Sequence, residues 1–186
     1  FFFFFFFFFL PPTSDMAHRR TTKVFGISAV AMQQFYDRHK LTAATPVATV
    51  AEFGKQETEA KQCAWVDLHA TPSKPPNDDV GPATEFISHT WQAQGLLEIV
   101  QEDAAQNPDA KKYYYIDVFC VNQHECDHTK GAVVTYEYLS EVFKEKIVEV
   151  GSMIVVLQPV TAPVHPKRSW CLFEIAVAYT HDIPCK

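Results

Sequence analysis

Residues 153–157, Met-Ile-Val-Val-Leu, form a short unbroken apolar run of the kind shown by a strand buried on both faces. A strand of that kind commits the chain to a sheet with helices packed above and below it. A Pro-containing loop over 158–167 follows, and then Arg168-Ser169-Trp170-Cys171-Leu172-Phe173-Glu174-Ile175-Ala176-Val177-Ala178. Read as a helix, this stretch puts Leu172, Ile175 and Ala176 on an apolar face, and Trp170 and Glu174, four residues apart, along one side. In open parallel sheets ligands collect beyond the carboxyl ends of the strands, so Trp170 and Glu174 fall where a small-molecule site is expected.

The preceding residues supply the partners of that strand. Residues 83–88 (Ala-Thr-Glu-Phe-Ile-Ser) read as a strand, and 92–105 as a helix with Leu96, Leu97, Val100 and Ala104 on one face. Residues 113–121 read as an aromatic-rich strand, and 138–150 as a helix with Leu139, Val142, Phe143 and Ile147 at helical spacing. Strand and helix alternating in this way imply parallel strands with helices on both faces.

Residues 21–70 read as helical. Ser28 caps a helix over 29–40, and Thr45-Pro46 supplies a cap and a first-turn proline for a second helix to about residue 60, with a third apolar segment at 63–68. Residues 71–82 are a Pro-rich polar joint and the best domain boundary. Residues 1–20 begin with nine phenylalanines. Without a basic flank, a cleavage site or the length to span a bilayer, they read as a low-complexity leader, with Met16 as the expected start. No obvious last strand and helix follow residue 180, so the α/β domain over 83–186 is expected to be C-terminally truncated.

The net charge is -6, with Lys and Arg scattered instead of striped. That argues against a nucleic-acid partner or a polybasic membrane surface. Five cysteines without framework spacing or a secretory signal point to a reducing, cytoplasmic setting.

Four motifs, in order, carry a family resemblance: Phe86-Ile87-Ser88-His89; Tyr115-Ile116-Asp117; the helix feeding Ile154-Val155-Val156-Leu157; and Trp170-Cys171-Leu172-Phe173-Glu174. Together they resemble the Toll/interleukin receptor (TIR) domain. Ile116-Asp117-Val118-Phe119-Cys120-Val121-Asn122-Gln123 is similar to the Ile-Asp-x-x-Cys-x-Asn-Gln signature of fungal heterokaryon-incompatibility domains. The resemblance covers residues 83 to the end and implies a flavodoxin-like parallel sheet. It also implies one of two functions, NAD cleavage between nicotinamide and ribose or a non-catalytic module that assembles signalling complexes. Glu174 matches the catalytic glutamate and Trp170 the aromatic position beside it. NAD, or a related nucleotide, would be substrate and not cofactor, and self-association is the implied partnership. Residues 123–136 depart from the short glycine-containing loop of TIR domains.

The chemistry asked of Glu174 is modest. Breaking a glycosidic bond to cationic nicotinamide passes through an oxocarbenium-like state that one carboxylate can stabilise, and the leaving group departs neutral without a general acid. Trp170 can stack on the nicotinamide. The plainer reading makes Trp170 a core plug and Glu174 a solvated carboxylate in the helix's first turn. Ser88, His89 and Trp91 lie on the same rim as candidate substrate contacts; Ser88 or Thr90 could instead cap the next helix. Asp117 either binds a ribose hydroxyl or fixes its loop through Asn122. Cys120, His124, Cys126 and His128 are four zinc-competent ligands in nine residues, at a spacing tighter than structural zinc sites favour.

Overall fold

The computed structural model describes residues 24–70, 77–125 and 136–186, with backbone alone over 136–139. Five short strands form one mixed sheet in the order β2-β1-β4-β3-β5: β1 (Phe25–Ile27), β2 (Val80–Pro82), β3 (Glu85–Ser88), β4 (Tyr114–Tyr115) and β5 (Met153–Val155). The expected parallel core is present, because β3 runs parallel to β4 on one side and to β5 on the other, with Phe86 opposite both Tyr115 and Met153. All four residues of β3 are buried, as a strand flanked and covered on every side requires.

The other half of the sheet is antiparallel and was not expected. β1 pairs with β2 (Ile27 opposite Val80) and with β4 (Ile27 opposite Tyr114). Both strands lie in stretches read as helix or joint. At three residues each they are too short to show a period, and β2 carries a proline, which edge strands tolerate. Residues 25–27 therefore share a sheet with the α/β part of the chain. On the far side, Ile183 to Lys186 run beside β5: Met153 and Val155 donate backbone hydrogen bonds to Pro184 and Lys186, and Lys186 returns one to Met153.

The helices are α1 (Ala29–His39), α2 (Val47–Thr58), α3 (Leu96–Ala105), the single turn α4 (Asp117–Cys120), α5 (Tyr136–Val150) and α6 (Ser169–Thr180). Ser28 caps α1 as expected, its Oγ accepting from the Ala31 amide at 3.1 Å. β3-α3-β4 and β4-α5-β5 cross the sheet in opposite directions, so right-handed crossovers place α3 and α5 on opposite faces. Consistently, α3 packs with α1, and α5 with α6. One aromatic cluster joins Phe35, Trp65 and Phe119 edge to face. Another stacks Phe86 on Tyr115 and leads through Phe143 to Trp170.

Two expected boundaries move and one helix turns a different face inward, and each change shapes the rim. The strand expected over 113–121 ends at Tyr115, and the chain turns into α4, whose Val118 and Phe119 are buried. The apolar character of 118–120 thus serves a helical turn packed on α2 and not a longer strand. Helix α3 starts at Leu96, after Gly95 in the left-handed region, so neither Ser88 nor Thr90 caps it. Residues 89–95 form a loop instead, tied to the start of α2 where the Val47 and Ala48 amides bond the carbonyls of Ala93 and Trp91. Finally, α6 turns a different face inward than expected: Cys171, Glu174, Val177 and Ala178 are buried, while Leu172 and Ala176 are exposed. The inward face carries a carboxylate because it meets polar groups at the end of β3.

Candidate functional site

Ser88 closes β3 and is fully buried; beyond it the chain leaves the sheet through His89, Thr90 and Trp91. The Ser88 hydroxyl donates to the carboxylate of Glu174 and lies 2.7 Å from His165 Nε2. A hydroxyl has one proton, so with that proton on Glu174 the His165 ring must donate Nε2–H to Ser88 Oγ. Its Nδ1 is then a buried acceptor without a partner. His165 belongs to the 3₁₀ turn His165–Lys167 just before α6. The loop and the helix therefore converge on one strand end.

A second pair sits beside the first. His89 Nε2 is 3.2 Å from Asp117 Oδ1, at the start of α4, and Trp91 Nε1 donates to Asp117 Oδ2 at 3.2 Å. The Cys171 thiol donates to the His89 carbonyl at 3.5 Å, fixing α6 against the loop. These groups border a cavity of ≈ 70 Å³ whose walls include Phe86, His89, Trp91, Asp117, Arg168, Trp170, Cys171 and Glu174. On its outer side Arg168 Nη1 donates to Gln92 at 3.4 Å, and Gln92 also lines a groove of ≈ 710 Å³ running past Thr90, Gly95, Gln158 and Val164.

Burial pushes the Glu174 carboxyl up to about 7, with the Asp117 charge adding to the rise while the Ser88 bond, His89 and Trp170 oppose it. Burial lowers His89, but the charge and hydrogen bond of Asp117, joined by the Ile87 carbonyl and the Glu174 charge, together outweigh it and hold the imidazole above its usual value. Burial likewise raises Asp117, and the charge and hydrogen bonds of His89, with Trp91, win and hold it below the usual carboxylate range. Burial and the neighbouring His89 charge depress His165. Near neutrality the site thus holds a neutral His165 and a Glu174 poised between its two forms, beside a His89 whose charged form Asp117 favours.

The structure brings Glu174, Trp170, His89, Trp91 and Asp117 to one cavity, with Ser88 beneath Glu174. Glu174 is not a solvated first-turn carboxylate: it is 5 % exposed and faces the sheet. Trp170 is half-buried, packed edge-on against Phe143 at 5.0 Å and beside Phe173 at 5.4 Å. Asp117 does not hold its loop through Asn122. Its backbone carbonyl accepts from Gln123, whereas Asn122 bonds Gln62, Glu125 and the His124 amide. The two zinc-competent residues that are described, Cys120 and His124, each have another partner. Cys120 Sγ faces the Tyr114 carbonyl, and His124 Nε2 bonds Thr58 Oγ1 at 2.8 Å; Cys126 and His128 lie outside the described residues.

Sequence reasoning missed His165, Arg168 and Cys171 as site residues. The available signal was position: all three stand in or just after a loop that follows a buried strand, where ligands collect in α/β sheets. Comparison with protein-family models, curated proteins and solved structures returns no match, so the reading of the site rests on its own geometry.

Proposed function

We propose that this chain is a TIR-like, flavodoxin-type domain that hydrolyses the nicotinamide–ribose bond of NAD or a related nucleotide, with Glu174 as the catalytic carboxylate. The observation that carries this reading is the buried Glu174 carboxyl at the carboxyl end of β3, beside Trp170 and Arg168, where β3-α3-β4 and β4-α5-β5 leave the sheet in opposite directions. A carboxylate there stabilises the oxocarbenium-like state and bonds ribose hydroxyls. Trp170 stacks on the departing nicotinamide, and Ser88 holds the carboxylate in place. Arg168 lines the small cavity and bonds Gln92, which lines the larger groove. Opening of that bond would join the two, and Arg168 would then pair with the pyrophosphate.

Release of nicotinamide from NAD by the purified chain, beside Glu174→Gln, tests the assignment. Release by the parent and a loss of at least roughly 100-fold in the variant is expected. A folded, self-associated parent that leaves NAD intact overturns it.

One observation favours the non-catalytic alternative, a self-associating signalling module. Leu172 and Tyr179, seven residues apart on α6, both point outward, and Val160 in the preceding loop is 85 % exposed. Among the described residues no helix is long and apolar enough to cross a membrane.

A further inference from the structure

The polar core of the site also has the composition of a transition-metal site. One ligand atom each from His165, Cys171 and Glu174 lies within 4.8 Å of the other two, and all three residues are buried. Cys171 and Glu174 are three apart on the inward face of α6, and His165 enters from the turn immediately before it. Metal bonds of about 2.0–2.3 Å put tetrahedral ligands roughly 3.3–3.8 Å apart, so closure asks about an ångström of convergence.

A second observation points the same way. The His165 ring is fully buried and its Nδ1 has no partner, an arrangement that is unfavourable unless something satisfies it. Either ring nitrogen can serve a metal. With the ion on Nδ1, the existing Nε2–Ser88 contact becomes the outer hydrogen bond that orients a ligating histidine. With the ion on Nε2, Ser88 is displaced and its hydroxyl, adjacent to both Nε2 and Glu174, is placed for the fourth position.

We propose that His165, Cys171 and Glu174 form a binding site for a thiophilic divalent cation, zinc being the reference ion, and that occupation withdraws Glu174 from catalysis. A nitrogen, sulfur and oxygen set selects zinc or cobalt over magnesium or calcium. Binding expels the thiol proton of Cys171 and any proton on Glu174, leaving two anionic ligands to balance the ion. The regulatory part rests on the reading of Glu174 as the catalytic carboxylate; the binding part does not.

Cobalt(II) separates the two. Titrated into the chelator-stripped full chain, it should give, at one equivalent, a thiolate-to-metal charge-transfer band that zinc abolishes. The band should persist in Cys63→Ser/Cys126→Ser/Cys185→Ser, vanish in Cys171→Ser, and require at least tenfold more cobalt in His165→Gln and Glu174→Gln. Should Cys171→Ser fail to fold, the His165→Gln titration decides alone. No band from the folded parent, a band that survives Cys171→Ser, or unchanged affinity in His165→Gln overturns the site. Nicotinamide release is read separately. Zinc should suppress it at the stoichiometry of the cobalt band; binding without suppression removes the regulatory role, and binding without any parental activity removes the proposed hydrolysis while leaving the metal site standing.

Discussion

The hydroxyl of Ser88 donates to the carboxylate of Glu174 across 86 residues of sequence, joining the end of β3 to the second turn of α6. The bond supplies one of the few groups that favour the ionised form of a carboxyl that burial would keep protonated.

Ser88→Ala should therefore act twice. It leaves a buried carboxyl short of a donor, costing about 1–3 kcal/mol in urea unfolding. It also removes a cause that lowers Glu174, so the pH at half-maximal nicotinamide release should move upward. An unmoved profile in a folded variant would mean that the hydroxyl does not govern the ionisation of Glu174.

Glu174 links stability to pH with a definite sign. Its carboxyl stands at about 7 in the folded chain against an ordinary value of 4.5 for an exposed glutamate. Below 4.5 the folded and unfolded chains both hold the proton and its contribution is intact. Between 4.5 and about 7 only the unfolded chain ionises, so the contribution falls, by up to about 3 kcal/mol, and then levels off. Measured by urea unfolding from about pH 4.5 to about pH 8, the stability of Glu174→Gln relative to the parent should rise over that window and be flat above it. The proposed hydrolysis, for which the carboxylate would be required, should rise over the upper part of the same range.

His89 and Asp117 make a second test, with the same sign over a higher pH range. Asp117 is the main partner that holds His89 above its ordinary value against burial, with the Ile87 carbonyl and Glu174 adding to it, so the His89 contribution is present below the unfolded value of 6.5 and lost as pH rises through the folded one. In Asp117→Asn only the Ile87 carbonyl and the Glu174 charge still oppose burial, and the His89 imidazole signals in NMR should titrate at lower pH than in the parent. The loss of stability should stay below the roughly 3–5 kcal/mol typical of a broken, fully buried pair, because the Asp117 side chain keeps 26 % of its exposure.

The parallel unit was legible because β5 reads as an unbroken apolar run, 83–88 as a strand, and α3, α5 and α6 as helices between or after them. The positions of Trp170 and Glu174 on one side of α6 followed from their spacing. The inward face of α6 was not legible. Leu172 and Ala176 suggested an apolar stripe, but what decides the facing is the Ser88 hydroxyl and the His89 carbonyl at the end of β3, which sequence periodicity does not register. His165 escaped for a related reason: a histidine in a proline-containing loop carries no pattern, and only the fold brings it to Ser88. β1 and β2 were missed because three residues cannot display alternation.

The β1 strand makes the last prediction. A Cβ built on Gly26 would lie 2.7 Å from the carbonyl carbon and oxygen of Tyr114. These are backbone atoms of the neighbouring strand, which cannot swing aside as a side chain would. Gly26→Ala should force β1 away from β4 and lower stability by about 1–3 kcal/mol, the usual cost of overpacking a close contact. Hydrogen exchange should then speed most at the Ile27 and Tyr114 amides, where the two strands pair, while Phe86 and Val156, bonded on the parallel side of β3, keep more of their protection. Uniform loss of protection across the sheet would instead mean that both halves unfold as one cooperative unit, and that the antiparallel strands are integral to the scaffold holding Ser88 against Glu174.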